Sequence, residues 1–310
     1  MCMEFHISGT DAGKPVGIFL KLRLSLSSKM IKYLKYREDG ILVNGERVTV
    51  RRVLQPGDHL SLAICDNTAQ ARLEPIELEL PILYEDSDIV LPNKPAKMPT
   101  HPSHDHYRDT VANALAFRYR EMGIPFVFRP VNRLDRDTSG LLLIARNKLA
   151  AGRLTSAMQA GKIRKIYLAV LQGDHLPDSG RIEKPLHRTE ESIIVREVCT
   201  PETPDAEPAV TEYRVLARAG GCSLVAARPL TGRTHQLRVH FASLGCPILS
   251  DDLYGTPDNR IPRQALHAYS LTFPHPTTGK FFTMIAPPPT DFATLLASLF
   301  PNFELPNDLF

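Results

Sequence analysis

An acidic side chain set between two arginines is the clearest chemical signal in this chain: Pro130-Val131-Asn132-Arg133-Leu134-Asp135-Arg136-Asp137-Thr138-Ser139-Gly140-Leu141. Neighbouring guanidinium groups can hold Asp135 ionised, and Ser139-Gly140 gives a tight connection into the apolar stretch Leu141 to Ala145. A charged carboxylate fixed on a loop at a strand edge is placed to act on a substrate. The same residues also suit a surface turn that carries an ion pair, because structural pairs perturb carboxylates too. Asp137 raises the rival idea of a paired-carboxylate hydrolase. Productive pairs of that kind flank the scissile bond from opposite sides at about 5 to 9 Å, which neighbours on one loop do not easily do.

Other chemistries find little support. No Gly-x-Gly-x-x-Gly follows a strand and no Gly-Lys-Ser/Thr loop is present, so a nucleotide cofactor has no visible cradle. His101, His104 and His106 share a loop with Asp105, but Pro102 and the lack of a helical His-x-x-x-His pattern favour a solvated loop over a metal site. No cofactor and no metal are expected. The five cysteines, Cys2, Cys65, Cys199, Cys222 and Cys246, are odd in number and form no Cys-x-x-Cys pair, which points to a reducing compartment. No apolar run approaches the roughly 18 residues of a membrane span, and Met1 to Gly17 carries charges where a signal peptide would be apolar. A cytoplasmic monomer is the default expectation.

At 310 residues, with 43% hydrophobic and 23% charged residues, the chain is long enough for about two domains. Its net charge of only +3 means that a polyanionic partner must be met by local basic clusters. One such cluster lies on a helix capped by Ser28, with Lys29, Lys32, Lys35 and Arg37, which ends at Gly40. Ile41 to Val43, Asn44-Gly45 and Glu46 to Val48 then read as a hairpin, and Pro56-Gly57-Asp58 turns into a strand from His59 to Ile64. The expected division is an extension at 1–16, a small α/β domain at 17–65, a linker at 66–80 and a larger domain at 81–310. In the larger domain, strand signals at 82–84, 88–91, 141–145, 165–171, 210–216, 223–228 and 265–273 are interrupted by helical stretches at 110–121, 148–160, 233–244 and 292–299. This mixture predicts an α+β fold on a mainly antiparallel mixed sheet.

The Asp135 segment closely resembles the His-Arg-Leu-Asp-x-x-Thr-Ser-Gly-Leu signature of the RluA-type pseudouridine synthases, with Asn132 where histidine is usual. Three further segments follow that family's order. Leu91-Pro92-Asn93-Lys94-Pro95 through His101-Pro102 is similar to its Asn-Lys-Pro-x-Gly motif, with Lys97 in place of glycine. Lys165 to Gly173 looks like its tyrosine-bearing strand, and Leu230-Thr231-Gly232-Arg233-Thr234-His235-Gln236-Leu237-Arg238-Val239-His240 resembles its Thr-Gly-Arg-x-His-Gln-x-Arg-x-His segment. The basic helix, the Val-Asn-Gly hairpin and the Pro-Gly-Asp turn resemble the RNA-binding domain first recognised in ribosomal protein S-four, although a lone charged helix is usually a solvated face.

The resemblance implies an RNA pseudouridine synthase with an S-four-like domain ahead of it, acting on structured RNA, with large-subunit ribosomal RNA as the expected target. Isomerising uridine breaks the bond between uracil nitrogen and ribose, turns the base and rejoins it through carbon. An ionised carboxylate near the sugar is needed, as nucleophile or as base. The resemblance gives that role to Asp135. It makes Arg233 the cation that pairs with Asp135 and Tyr167 the ring stacked on the target base. Arg133 would fill the gap left by the flipped nucleotide. Asn93, Lys94 and Leu237 are substrate-binding candidates, Leu237 being equally suited to helix packing, while Arg238 and His240 suit structural or phosphate-facing roles. Lys29, Lys32, Lys35, Arg37, Asn44 and Arg47 would contact RNA phosphates. A non-catalytic RNA-binding or ribosome-assembly factor is the alternative, separated by whether Asp135→Asn abolishes modification while sparing binding. Asparagine replaces some hydrogen bonding of the usual histidine but carries no proton near neutral pH. Asn132→His is therefore expected to leave modification activity unchanged or mildly raised; an inert wild type rescued by this substitution would overturn the assignment of the chemistry to Asp135.

Overall fold

Alternating burial along a handful of short strands builds the first unit. The computed structural model describes residues 3–24, 26, 28–64, 73–306 and 309–310. Strands β1 (Met3–His6), β2 (Ile41–Val43), β3 (Glu46–Arg47) and β4 (His59–Leu62) form an antiparallel sheet in the order β1-β4-β2-β3. Helix α1 (Val16–Ile18) continues into a π-helical turn, Phe19–Arg23, and α2 (Ser28–Lys35) follows. Val16, Phe19, Leu20 and Leu34 are buried with Ile41, Leu60 and Leu62 in one core, each worth about 1.5–3 kcal/mol of apolar burial. At the hairpin tip Asn44 (φ 54) and Gly45 (φ 83) adopt the left-handed pair that a two-residue turn demands.

The sequence sets residues 1–16 outside this domain; the structure places 3–16 inside it. Strand β1 pairs with β4 along its whole length, and Ile7 is buried in the same core, because β4 otherwise presents an open edge. Of the expected linker, 66–72 lie outside the described residues. Leu73, Leu78 and Leu80 pack on the larger core, and Asn113 Nδ2 donates to the Glu74 carbonyl at 2.8 Å.

The larger unit is built on β5 (Ile82–Glu85), β6 (Ile89–Lys94), β7 (Ser139–Leu141), β8 (Ile144–Ala145), β9 (Arg164–Gln172), β10 (Ser179–Glu183), β13 (Val210–Ala219), β14 (Cys222–Pro229), β15 (Leu266–Pro274) and β16 (Phe281–Ile285), with a side hairpin of β11 (Leu186–Arg188) and β12 (Arg196–Val198). The sheet runs β10-β13-β14-β9-β15-β7-β6-β5, with β16 on β15 and β8 on β6. Among the described residues only the β15–β7 pair is parallel, so the fold is α+β on a mainly antiparallel mixed sheet. Helices α3 (Val111–Glu121), α4 (Lys148–Gln159), α5 (Gln236–Ala242) and α6 (Thr290–Leu299) complete it. Thr110 caps α3 with a reciprocal Asn113 bond, and Asn147 caps α4. Helix α4 also meets the small domain: Leu149 enters its core, and Arg153 donates to the Leu24 and Pro276 carbonyls at 3.4 and 2.7 Å.

The β15–β7 pairing sits directly behind the Asp135 loop. Gly140 (φ 114) is required there, since a Cβ would stand 2.3 Å from the Ala268 carbonyl oxygen. Beside it, fully buried His267 receives the Ser139 hydroxyl at Nδ1 (2.9 Å) and donates from Nε2 to the Ala286 carbonyl (3.1 Å), a neutral tautomer. Burial pushes its pKa down from 6.5 to about 4. Between those values the unfolded chain binds the extra proton, so stability is fully present above pH 6.5 and falls on acidification. The expected loss by pH 4 is up to about 3 kcal/mol. Urea unfolding across this window should show a shallower decline for His267→Gln than for the wild type.

Candidate active site

The backbone of the Asp135 loop is held by buried side chains. Thr100 Oγ1 donates to the Leu134 carbonyl (2.9 Å) and accepts from the Leu134 amide (3.2 Å). The Lys94 ammonium donates to the carbonyl of Arg136 (2.8 Å), and Arg263 Nη1 donates to that of Asp137 (3.1 Å). Arg263 is itself forked onto Asp291 at the start of α6 (2.7 and 3.0 Å). Asn132, at the loop entrance, is buried; it accepts from the Leu143 amide (2.8 Å) and donates to the Leu141 carbonyl (3.3 Å). An amide offers both roles at once, so the loop is ordered without a histidine.

On this frame the Asp135 side chain is 29% exposed and makes no side-chain hydrogen bond among the described residues. Its facing cation is Arg238, with Nη1 at 3.8 Å from Oδ2. Such a distance is an ion pair rather than a hydrogen bond, and it leaves the carboxylate oxygens available. Arg238 is 5% exposed and cannot turn away: Nε and Nη2 bind Asp251 at 2.7 Å each, Nη2 also reaches Asp252 (2.8 Å), and the guanidinium lies 5.2 Å from the Tyr254 ring centroid. Burial opposes its charge, but the Asp251 bonds outweigh that and hold its pKa above the usual value.

Arg233, which the sequence pairs with Asp135, is elsewhere. It donates to Glu207 (2.8 Å) and the Pro208 carbonyl (3.0 Å). The reason is local: His235 is left-handed (φ 56), so the helix expected from 233 begins only at Gln236, and Gln236 Oε1 fixes the turn by accepting from Thr231 Oγ1 and the Arg233 amide. Helix α5 therefore carries Arg238, not Arg233, to the aspartate. His240 is structural, bonded to Thr211 Oγ1 and the Lys184 carbonyl.

Tyr167 stands on β9 with Ala227 and Ala268 as its cross-strand neighbours, small residues that leave room beside the ring. Its pKa is raised by burial and then by the charge of Asp135. Leu237 is buried on α5, and Asn93 Nδ2 donates to the Pro287 carbonyl (3.4 Å). Lys94 is fully buried, with Nζ also on the carbonyls of Pro95 (2.9 Å) and Met98 (2.8 Å), so it braces the loop rather than meeting substrate. Burial lowers its pKa to about 7 against the pull of Asp135 and Asp137. Arg133 is exposed beside the site.

Among the basic candidates of the small domain, Lys32, Lys35 and Arg47 are exposed. The Lys29 side chain lies outside those described. Arg37 is forked onto Asp39 (3.0 and 2.9 Å), which neutralises its charge locally. Asn44 is engaged within the hairpin, donating to Asp58 (2.8 Å) and accepting from the His59 amide (2.8 Å), and so is a structural residue, not a phosphate contact. Among the described residues no three His, Cys, Asp or Glu side chains are grouped to hold a metal, and no helix is long and apolar enough to cross a membrane.

Known proteins with this architecture identify the class. The human structure "RNA Pseudouridylate Synthase Domain Containing 1" superposes with a TM-score of 0.57 at 31% identity, covering 68% of this chain and 84% of its own. The chain belongs to the RNA pseudouridylate synthase family, whose profile matches residues 88–243. An RNA pseudouridine synthase of Bacillus subtilis, YjbO, is 37% identical over 275 residues (88% of this chain, 95% of that protein). The ribosomal large subunit pseudouridine synthase D of Pasteurella multocida is 35% identical over 282 residues (86% and 85%). The enzyme is thus an RNA pseudouridine synthase of the RluA type.

Removing Arg238 leaves Asp251, which is fully buried, without its cation. Arg238→Ala is expected to cost about 3–5 kcal/mol in urea unfolding. Arg238→Lys should fold better than Arg238→Ala, yet lose most pseudouridine formation in tritium-release assays, because an ammonium cannot fork onto Asp251 and still face Asp135.

Proposed function

We propose that this enzyme isomerises specific uridines in large-subunit ribosomal RNA, with Asp135 as the group that acts on the ribose. The observation that carries this reading is the partly exposed Asp135 carboxylate, free of hydrogen bonds among the described residues and facing the buried Arg238, its charge acting on Tyr167. A carboxylate with free oxygens can stabilise or capture the charge that develops as the glycosidic bond breaks. Arg238 orients it. Tyr167 lies where a flipped base stacks while it turns, and exposed Arg133 enters the gap left in the RNA stack. Ribosomal RNA is favoured by the relatives named for the large subunit and by the small basic domain. There Lys32, Lys35 and Arg47 supply phosphate contacts that add affinity with little sequence reading.

The experiment is pseudouridine mapping of cellular RNA, by carbodiimide treatment and primer extension, from cells lacking the gene and complemented with wild type or Asp135→Asn. Particular large-subunit uridines should lose modification and regain it only with wild type, while Asp135→Asn protein still binds the RNA. Restoration by Asp135→Asn would remove Asp135 from the chemistry, and changes confined to transfer RNA would remove the ribosomal target.

A further inference from the structure

Beside the Asp135 loop lies a cavity of about 590 Å³, lined in part by Lys97, His106, Arg136, Asp137, Asp252 and Arg263. That volume falls within the ~300–1,000 Å³ of ordinary ligand sites. Most of its charges are already engaged. Arg136 is on Asp137 (2.9 Å), His106 on Asp109 (2.6 Å), Arg263 on Asp291 (2.7 Å) and Asp252 on Arg238 (2.8 Å). Lys97 is the one lining cation without an acidic partner among the described residues, and it is exposed.

Its backbone is equally telling. Lys97 has φ 65, in the left-handed region that a long side chain with no local hydrogen bond seldom occupies. The turn that imposes this is locked, since the Lys94 ammonium binds the carbonyls on both sides of it, at 95 and 98, and the carbonyl of Arg136 as well. One buried cation thus fixes the position of Lys97 relative to the loop that carries Asp135. Glycine would fit the turn without strain, so lysine here carries a backbone cost of the kind that strained residues at functional sites carry.

We propose that this cavity receives the nucleotide adjoining the target uridine, with the Lys97 ammonium on its phosphodiester. The proposal rests on the RNA-modifying reading and deepens it. RNA lying along the mouth of the site offers that cation an anionic oxygen, and the salt-bound Arg136 beside it adds N–H donors to the same oxygen. Lys97 then contributes affinity and registers the strand, so that one uridine faces Asp135.

The test uses full-length protein and unmodified large-subunit ribosomal RNA transcribed in vitro, with binding measured across a KCl series and modification followed in parallel. Lys97→Gly and Lys97→Asn both fit the left-handed turn and remove the charge; Lys97→Arg keeps it. The two neutral variants should bind more weakly, with the slope of log affinity against log salt reduced by about 0.7 to 0.9, one phosphate contact. Lys97→Arg should retain the wild-type slope, and Lys97→Gly should melt no lower than wild type, which separates lost contact from lost fold. An unchanged slope in both neutral variants, with the RNA modified normally, would overturn the Lys97 site and leave the ribosomal reading standing. A reduced slope with no modification of that RNA by wild type would overturn the ribosomal target and leave the site standing.

Discussion

The guanidinium of Arg238 is the interaction on which the site depends. Five N–H donors in a rigid plane let one residue satisfy Asp251 along one edge, reach Asp252, and still turn Nη1 toward Asp135. Asp251 is in turn immobilised by accepting the amides of Leu253 and Tyr254 at 3.0 Å each. A burial as deep as that of Arg238 is tolerable only because three carboxylates surround it. Asp251 is fully buried and Asp252 is largely exposed, and of the three only the partly exposed Asp135 keeps its oxygens free of hydrogen bonds among the described residues.

The loop itself follows the same economy of buried donors. Its carbonyls at 134, 136 and 137 point into the protein, where an unmatched carbonyl is costly, and Thr100, Lys94 and Arg263 each meet one. Two of these come from the segment 94–100 and the third from 263, so the loop is held from two sides and has a fixed shape without regular secondary structure. Asn132 and Gly140 complete it, one by pairing with backbone at 141 and 143, the other by letting β7 and β15 approach.

Residue types and spacing made much of this legible. The strands over 82–84, 165–171, 210–216, 223–228 and 265–273 fall where runs rich in apolar and β-branched residues place them. What a motif cannot reveal is which polar groups the backbone will claim. Arg233 and Arg238 belong to one short segment, and only the left-handed turn at His235 decides which of them reaches the aspartate. Lys94 and Asn44 have the chemistry of ligand contacts, yet their side chains serve neighbouring peptide groups. Strand β1 was hidden for a related reason: four residues become a strand only when the edge of β4, more than fifty positions later, is there to pair with them.

The parallel join between β7 and β15 carries a consequence for how the protein comes into being. Ser139 and Gly140 pair with His267 and Ala268, well over a hundred residues downstream, and Arg263, itself held by Asp291 further along the chain, clamps the loop. Contacts so distant in sequence form late, since the loop-closure entropy must be met before they stabilise anything. A growing polypeptide therefore carries Asp135 long before it can hold it in place. The geometry around Asp135 is therefore complete only once the residues of β15 and the start of α6 are in place.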